Sequence, residues 1–105
     1  MSFEQPLTES YFYILLCLYH GPNHGYGIMQ DVLELTDDRL RIGSGTMYGA
    51  VSNMIKKGWI VETKGTDDDR RKRLYKLTDK GNEILNIEVT RLNELVQNAS
   101  KVMGR

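Results

Sequence analysis

The chain has little cysteine, no long apolar run and no N-terminal targeting pattern, and each shortage excludes a class of protein. The single cysteine, Cys17, excludes an internal disulfide and is typical of a protein kept in a reducing cytoplasm. The only apolar run, residues 11–19, is far too short to span a membrane. The first residues lack the basic stretch and the cleavage site of a signal peptide. We therefore expect a cytoplasmic protein with no membrane contact.

Net charge is also absent, because 14 basic side chains balance 14 acidic ones among the 105 residues. The balance alone argues weakly against a nucleic-acid partner, but positive charge is concentrated in one place. The cations there have no acid among them, and they are Arg70, Arg71, Lys72, Arg73 and Lys76. Such a local charge is typical of a protein that touches phosphates along one edge.

Residues 43–58 are the most informative stretch of the sequence. Ser44 or Thr46 is suited to cap a helix, and Gly58 is suited to end it. The apolar residues fall on one face at helical spacing, and they are Met47, Ala50, Val51, Met54 and Ile55. The opposite face has no acid and consists of Gly49, Ser52, Asn53 and Lys56, with Tyr48 on its flank and a second glycine gap at Gly45. Short polar side chains of this kind suit a helix in a DNA major groove, whereas an amphipathic surface helix is the alternative for this segment alone.

Capping residues, breakers and periodicity predict the remaining elements of this single small domain, which has 40% hydrophobic residues. The first half of the chain is predicted to contain a helix from Thr8 through Tyr19, a helix from Asn23 or His24 to about Thr36, and a short strand over 39–42 with Leu40 and Ile42 inward. After the helix just described come strands over 59–64 and 71–77 around a turn at 65–69. The last element is a helix from Thr78-Asp79 to about Val102. Trp59 opens the first hairpin strand, and we expect it to pack into the core.

The last helix carries an apolar stripe with coiled-coil spacing. Its members step by four and three residues, and they are Leu85, Val89, Leu92, Val96, Ala99 and Met103. A second stripe of Ile84, Ile87 and Leu95 widens it. A helix of roughly 25 residues is about 37 Å long, which is more than the small preceding domain covers. The spare apolar face therefore predicts a homodimer, with residues 1–78 as the DNA-binding domain and 79–105 as the dimerisation helix.

The sequence does not favour a metal site, a phosphate-binding loop or a catalytic site. His20 and His24 have a metal-ligand spacing, but Gly21-Pro22 breaks the helix between them and no third ligand lies nearby. No glycine-rich phosphate loop is present, since Gly43 and Gly45 lack a following Gly-Lys-Ser/Thr. The polar clusters fall on turns or on the hairpin and provide no paired acid and base groups. We expect neither catalysis nor a cofactor nor a bound metal.

The order helix, helix, short strand, helix, hairpin, helix is that of a winged helix-turn-helix domain. The predicted fold class is mostly α with a small β-hairpin, or α+β. In this architecture the third helix enters the major groove, and the hairpin, called the wing, follows the DNA backbone. The acid-free helix and the basic hairpin strand fall on these two elements. A winged helix used only as a protein-interaction module is the alternative, because a fold alone does not define a function.

The residues also resemble the PadR family of bacterial transcriptional regulators over nearly the whole chain. The matching motifs are Leu7-Thr8-Glu9 with Leu15-Leu16, Pro22-Asn23-His24-Gly25-Tyr26-Gly27-Ile28, Gly45-Thr46-Met47-Tyr48-Gly49, Gly58-Trp59-Ile60 and the block over 71–81. The resemblance implies a homodimeric repressor that binds double-stranded DNA at an inverted-repeat operator on the bacterial nucleoid. Trp59 departs from the leucine usual in the family, which is a core change. With one C-terminal helix the chain is similar to the short subgroup, some of whose members bind flat aromatic drugs between tryptophans that this helix lacks.

These patterns assign three sets of residues. The predicted DNA contacts are Thr46, Tyr48, Ser52, Asn53, Lys56, Arg70, Arg71, Lys72 and Arg73. The predicted dimer interface contains Phe12, Leu85, Val89, Leu92, Val96 and Ala99. A small aromatic effector between the subunits would be lined by Phe12, Leu16, Leu92, Leu95 and Val96, with Tyr13 and Asn93 as polar handles. The alternative for this last set is that its members simply pack the dimer and leave no cavity.

Overall fold

The computed structural model describes residues 6–63 and 73–105, and these form four helices and a three-stranded antiparallel sheet. The elements are α1 (Glu9–Leu16), β1 (Asn23–His24), α2 (Gly25–Leu35), α3 (Ser44–Lys56), β2 (Ile60–Thr63), β3 (Leu74–Leu77) and α4 (Asp79–Met103). This arrangement confirms the predicted α+β class. The turn predicted at 65–69 and the basic residues 70–72 lie outside the described residues.

Three helices begin at side-chain caps. Thr8 and Thr78 each accept a hydrogen bond, at 3.1 Å, from the backbone N–H three residues further along the chain. His24 accepts the equivalent bond through Nδ1 at 3.0 Å and is therefore the cap of α2 rather than Asn23. These bonds satisfy backbone donors that the first turn of a helix leaves without a partner.

The start of α3 differs from the prediction. Gly43 occupies the N-cap position, and no side chain among the described residues makes a capping bond there, so the assignment to Ser44 or Thr46 was wrong. Both side chains point into solvent instead. The end of the helix is as predicted, because Gly58 adopts a φ of 77° that side chains disfavour.

The first helix is shorter than its apolar run. It ends at Leu16 rather than Tyr19, and residues 17–20 continue in tighter turns. Leu18 and Tyr19 donate backbone hydrogen bonds to the carbonyls three residues earlier, each at 3.1 Å. The tighter turn leaves Tyr19 exposed, whereas Leu18 is buried.

The third strand of the sheet is not the one that the sequence predicts. Residues 39–42 do alternate, with Ile42 buried and Arg39 and Arg41 exposed, but they pair with no strand of the described sheet. The sheet order is β1-β3-β2, and the edge of β3 that faces away from β2 is occupied by Asn23 and His24. Alternating burial alone therefore does not identify a strand, because it does not show whether a sheet edge is free to pair with the segment.

The core lies between the three short helices, the sheet and the first turns of α4. Its largest fully buried side chains are Ile14, Leu15, Leu18, Ile28, Met47, Met54, Ile60 and Val32. Trp59 is buried as expected, and its carbonyl accepts bonds from the backbone N–H and the hydroxyl of Thr78, both at 3.0 Å. Gly81 lies so close to that carbonyl that a Cβ would collide with it. This contact fixes the start of α4 on the hairpin.

The second half of α4 extends beyond the core. Leu85 and Glu88 are buried, whereas residues 93–99 are all exposed. Within the described residues, no helix combines the length and the apolarity needed to cross a membrane.

Candidate nucleic-acid interface

One face of α3 points away from the domain, as its pattern predicts. Met47, Ala50, Val51 and Met54 are buried on the inner face. Gly45, Gly49, Ser52 and Lys56 are exposed at spacings of four, three and four residues, so they follow one another along the helix. We call these four residues the outward row. Ile55, predicted to lie inward, sits at the border and is 40% exposed.

Neither glycine of the outward row is needed by the fold. A Cβ added at Gly45 or Gly49 would meet no described atom within 4 Å, and neither residue has a positive φ. Glycine inside a helix destabilises it by about 0.5–1 kcal/mol relative to alanine. The two glycines therefore weaken α3 without improving the packing of the domain, and they leave the helix backbone open to the close approach of another molecule.

Tyr48 lies on one flank of the outward row and contacts the domain. Its side chain is 48% exposed, and the end of its ring lies over Gly25, the first residue of α2. A Cβ built on Gly25 would stand 2.8 Å from the Tyr48 hydroxyl oxygen and 3.1 Å from the adjacent ring carbon. The Tyr48 side chain, a predicted DNA contact, is therefore about half covered by the protein itself.

Asn53 lies on the opposite flank and is also held by the domain. Its Nδ2 donates a hydrogen bond to the hydroxyl of Tyr11 on α1 at 2.9 Å. Thr46, Ser52 and Lys56 are exposed. All five predicted α3 contacts are therefore exposed, and two of them, Tyr48 and Asn53, also contact neighbouring helices.

The base of the wing lies beside α3. Tyr75 of β3 is buried, and its pKa is raised first by that burial and then by the charges of Glu62 and Tyr48. Glu62 faces Tyr75 across the hairpin, and its carboxylate pairs with the Arg73 guanidinium at 3.4 Å. Arg73 is therefore turned toward its neighbouring strand. Arg70, Arg71 and Lys72 fall outside the described part of the chain, so their assignment to DNA stays a prediction.

The apolar residues of α4 divide between the core and the surface. Leu85 is only 2% exposed, so its assignment to a dimer interface was wrong: the domain itself buries it. Exposure is 38% at Val89 and 64% at Val96, and Leu92 is half-buried. Ala99 is exposed, whereas Phe12 of α1 is half-buried and meets Tyr13 edge-to-face at 5.5 Å.

The predicted effector residues do not all line the cavity that the described residues form between α1 and α2. Leu16 borders an open cavity of about 810 Å³ between α1 and α2, which also contacts Cys17, Tyr19, His20, Asp31, Glu34 and Leu35. Burial and the charge of Asp31 raise the pKa of the Cys17 thiol to about 11. The lining does not include Phe12, Leu92, Leu95 or Val96. An effector site that includes those four residues stays a prediction.

A buried carboxylate that the sequence patterns did not predict joins α4 to the rest of the domain. Glu88 accepts hydrogen bonds from Arg91 at 2.7 and 2.8 Å and from the backbone N–H of Leu7 at 3.1 Å. The Arg91 hydrogen bonds lower the pKa of Glu88 despite its burial. The available signal was its position, since Glu88 falls three residues after Leu85 on the inner face of the helix.

Comparisons with known proteins agree with this architecture. The model of the transcriptional regulator PadR-like family matches residues 14–87. A transcriptional regulator from Clostridium thermocellum is 26% identical, with 90% of this chain and 88% of that chain covered and a TM-score of 0.70. A PadR-like transcription factor from Bacteroides fragilis is 22% identical, with coverage of 89% and 88% and a TM-score of 0.72. No curated protein matches the chain.

A third structure contains nucleic acid. It is Bacillus subtilis PadR in complex with operator DNA, which is 22% identical, with 78% of this chain and 47% of that chain covered and a TM-score of 0.68. These likenesses confirm the winged-helix fold, and the family match covers 14–87, well over half of the sequence. The chain belongs to the transcriptional regulator PadR-like family.

Proposed function

We propose that this protein is a cytoplasmic bacterial repressor that binds an inverted-repeat operator as a homodimer and leaves it when a small molecule binds. The outward row of α3 carries the proposal. It combines an acid-free surface, two glycines that the fold does not require and a lysine at the end of the helix. In the major groove, such a surface lets Ser52 and Lys56 reach base edges and phosphates.

The wing supports the same orientation. Its base lies beside α3, because β2 packs against that helix. The sequence between β2 and β3 includes the basic run over 70–73. Positive charge there would neutralise phosphates next to the groove that α3 enters.

Dimerisation would use α4 after its buried first turns. The exposed apolar side chains there include Leu95, Val96, Val102 and Met103. A contiguous apolar surface along a helix marks an interaction site, and the heptad spacing favours a second copy of the same helix. On this proposal residues 79–88 stabilise the DNA-binding domain, and the dimerisation segment starts at Val89.

Release by an effector would follow from the geometry of the dimer. Half-sites of an operator lie about one helical turn apart, so a small change in the angle between subunits misplaces both recognition helices. A ligand can shift this equilibrium only if it binds one state more tightly. Phe12 and Leu16 of α1 and Leu92, Leu95 and Val96 of α4 are the proposed lining, with Tyr13 and Asn93 as polar groups.

Selection from a random-sequence duplex pool tests the proposal. We expect the wild-type protein to enrich an inverted repeat. The double variant Ser52→Ala with Lys56→Ala should no longer bind the enriched duplex. A Lys101→Ala variant, altered at the far end of α4, is the matched control and should bind as wild type. If no sequence is enriched and the protein ignores bulk DNA even at low salt, the domain is an interaction module for another protein.

A further inference from the structure

The contacts on the two flanks of α3 have a role that exposure alone does not reveal. Tyr48 and Asn53 are five residues apart, which separates them by about 140° around the helix. Each lies beside the outward row, and each reaches a different neighbouring helix. We propose that Gly25 and Tyr11 are positioning residues, which receive these two side chains and thereby fix the rotation of α3 about its own axis. This inference rests on the proposed DNA-binding role of the outward row.

The contact with Gly25 depends on the absence of a side chain. Gly25 is buried and opens α2, and it does not have a positive φ. Its backbone would therefore tolerate alanine. The space above it does not, since a Cβ would lie 2.8 Å from the Tyr48 hydroxyl oxygen and 3.2 Å from Cε1 of the same ring. A methyl group at this position would therefore displace the end of the Tyr48 ring from its present place.

The contact with Tyr11 is a single hydrogen bond between helices. Tyr11 is half-buried on α1 and packs against the core, so its ring has a fixed place. The hydroxyl accepts from Asn53 Nδ2 at 2.9 Å across 42 positions of sequence. The amide of Asn53 is thus oriented by α1 before any other molecule arrives.

The contacts of Tyr48 and Asn53 on opposite flanks restrict a rotation of α3 about its axis that the packing of its buried face alone would permit. The inner face of α3 is formed by Met47, Ala50, Val51 and Met54, and two of these are methionines, which adapt to small rotations. A rotation of α3 would move the Ser52 and Lys56 side chains sideways relative to a groove. Sequence-specific binding would suffer, whereas phosphate contacts, which tolerate more positions, would largely persist.

The test uses two variants that leave the outward row intact. Tyr11→Phe removes the hydroxyl acceptor but keeps the ring, and Gly25→Ala adds the methyl group that displaces Tyr48. Binding is measured to the duplex selected by the wild-type protein and to an unselected duplex of equal length. Each variant should weaken binding to the selected duplex by about two- to tenfold, which corresponds to one lost hydrogen bond, with little change for the unselected duplex. Tyr19→Phe, at the other end of the same apolar run, should match wild type.

Double-mutant cycles separate positioning from a general loss of folding. Once Asn53→Ala is present, Tyr11→Phe should cause no further loss, and once Tyr48→Ala is present, neither should Gly25→Ala. Additive losses in both cycles would overturn the proposal. The proposal would also be overturned if Tyr11→Phe and Gly25→Ala both bound the selected duplex as tightly as wild type while the Ser52 and Lys56 variants failed to bind it. If wild type itself ignores DNA, the proposed function fails instead.

Discussion

The Glu88 carboxylate accepts a hydrogen bond from the backbone N–H of Leu7 at 3.1 Å, although the two residues lie 81 positions apart. Leu7 immediately precedes Thr8, the cap of α1, and Glu88 lies on α4. The bond therefore connects the helix proposed for dimerisation to the beginning of the helix whose Tyr11 contacts α3. A buried carboxylate without partners is strongly unfavourable, and here Leu7 and Arg91 supply those partners.

The first prediction is a loss of stability in acid that depends on Glu88. The Arg91 hydrogen bonds hold the pKa of Glu88 below its usual value in the folded protein. Its contribution to stability is therefore present above the unfolded-state pKa near 4.3 and is lost as pH falls through the folded-state pKa. Melting temperatures between pH 7 and pH 3 should fall less steeply in Glu88→Gln than in wild type. Glu83→Gln, exposed on the same helix, is the control, and equal slopes in both variants would contradict the prediction.

The second prediction concerns the dimer. An aspartate at Leu95 or Val96 would place a charge within the proposed interface, and we expect monomers at micromolar concentration by light scattering. The domain should stay folded, because both side chains are exposed in the single chain. Gln97→Asp adds the same charge one position away from the apolar stripe and should stay dimeric. A dimeric Val96→Asp protein would place the interface elsewhere.

A third prediction is the salt dependence of DNA binding through Lys56. Each phosphate contact that is removed lowers the slope of log affinity against log salt by about one. Lys56→Ala should show this reduction, since its side chain is exposed at the end of the outward row. Lys101→Ala should leave the slope unchanged. An unchanged slope for both variants would mean that Lys56 does not contact the phosphate backbone of the DNA.

The fourth prediction distinguishes two arginines of the wing. Arg73 pairs with Glu62 at 3.4 Å, so its charge is already partly neutralised by the protein. Arg71→Ala should therefore lower the salt slope by about one, and Arg73→Ala should lower it by less. Glu62→Gln should bring the effect of Arg73→Ala closer to that of Arg71→Ala. Equal effects of the two alanine variants in the presence of Glu62 would contradict this difference.

Local chemistry made much of the fold predictable from the sequence. Thr8 and Thr78 cap their helices because their hydroxyls reach the third backbone N–H, and Gly58 ends α3 because it tolerates a positive φ. Each of these depends on residues within three positions of one another. The inner face of α3 was predictable for a similar reason, since helical spacing alone brings its members together.

Contacts between distant residues were not predictable in the same way. The alternation at 39–42 predicted the burial of these residues correctly. The edge of β3 is nevertheless paired with Asn23 and His24, and no local pattern shows which of the two segments pairs there. The Leu85 side chain fits a coiled-coil spacing, but the first turns of α4 pack against α1 before any partner is needed. Tyr48 and Asn53 share the polar face in the helical projection, whereas Gly25 and Tyr11 draw them toward the domain. Each outcome depends on which element packs beside the residue.

The assignment of the outward row to DNA is tested by comparing Gly49→Ala with wild type in thermal unfolding and in binding to the selected duplex. Alanine at this exposed helical site should stabilise the protein by about 0.5–1 kcal/mol, or raise Tm by about 2–8 °C. If the outward row approaches DNA closely, the same methyl group should weaken binding by about tenfold, the range of one base contact. Thr90→Ala, an exposed site on α4, should raise Tm without changing affinity. A Gly49→Ala protein that melts higher and binds the duplex as tightly as wild type would contradict the assignment of this face to DNA.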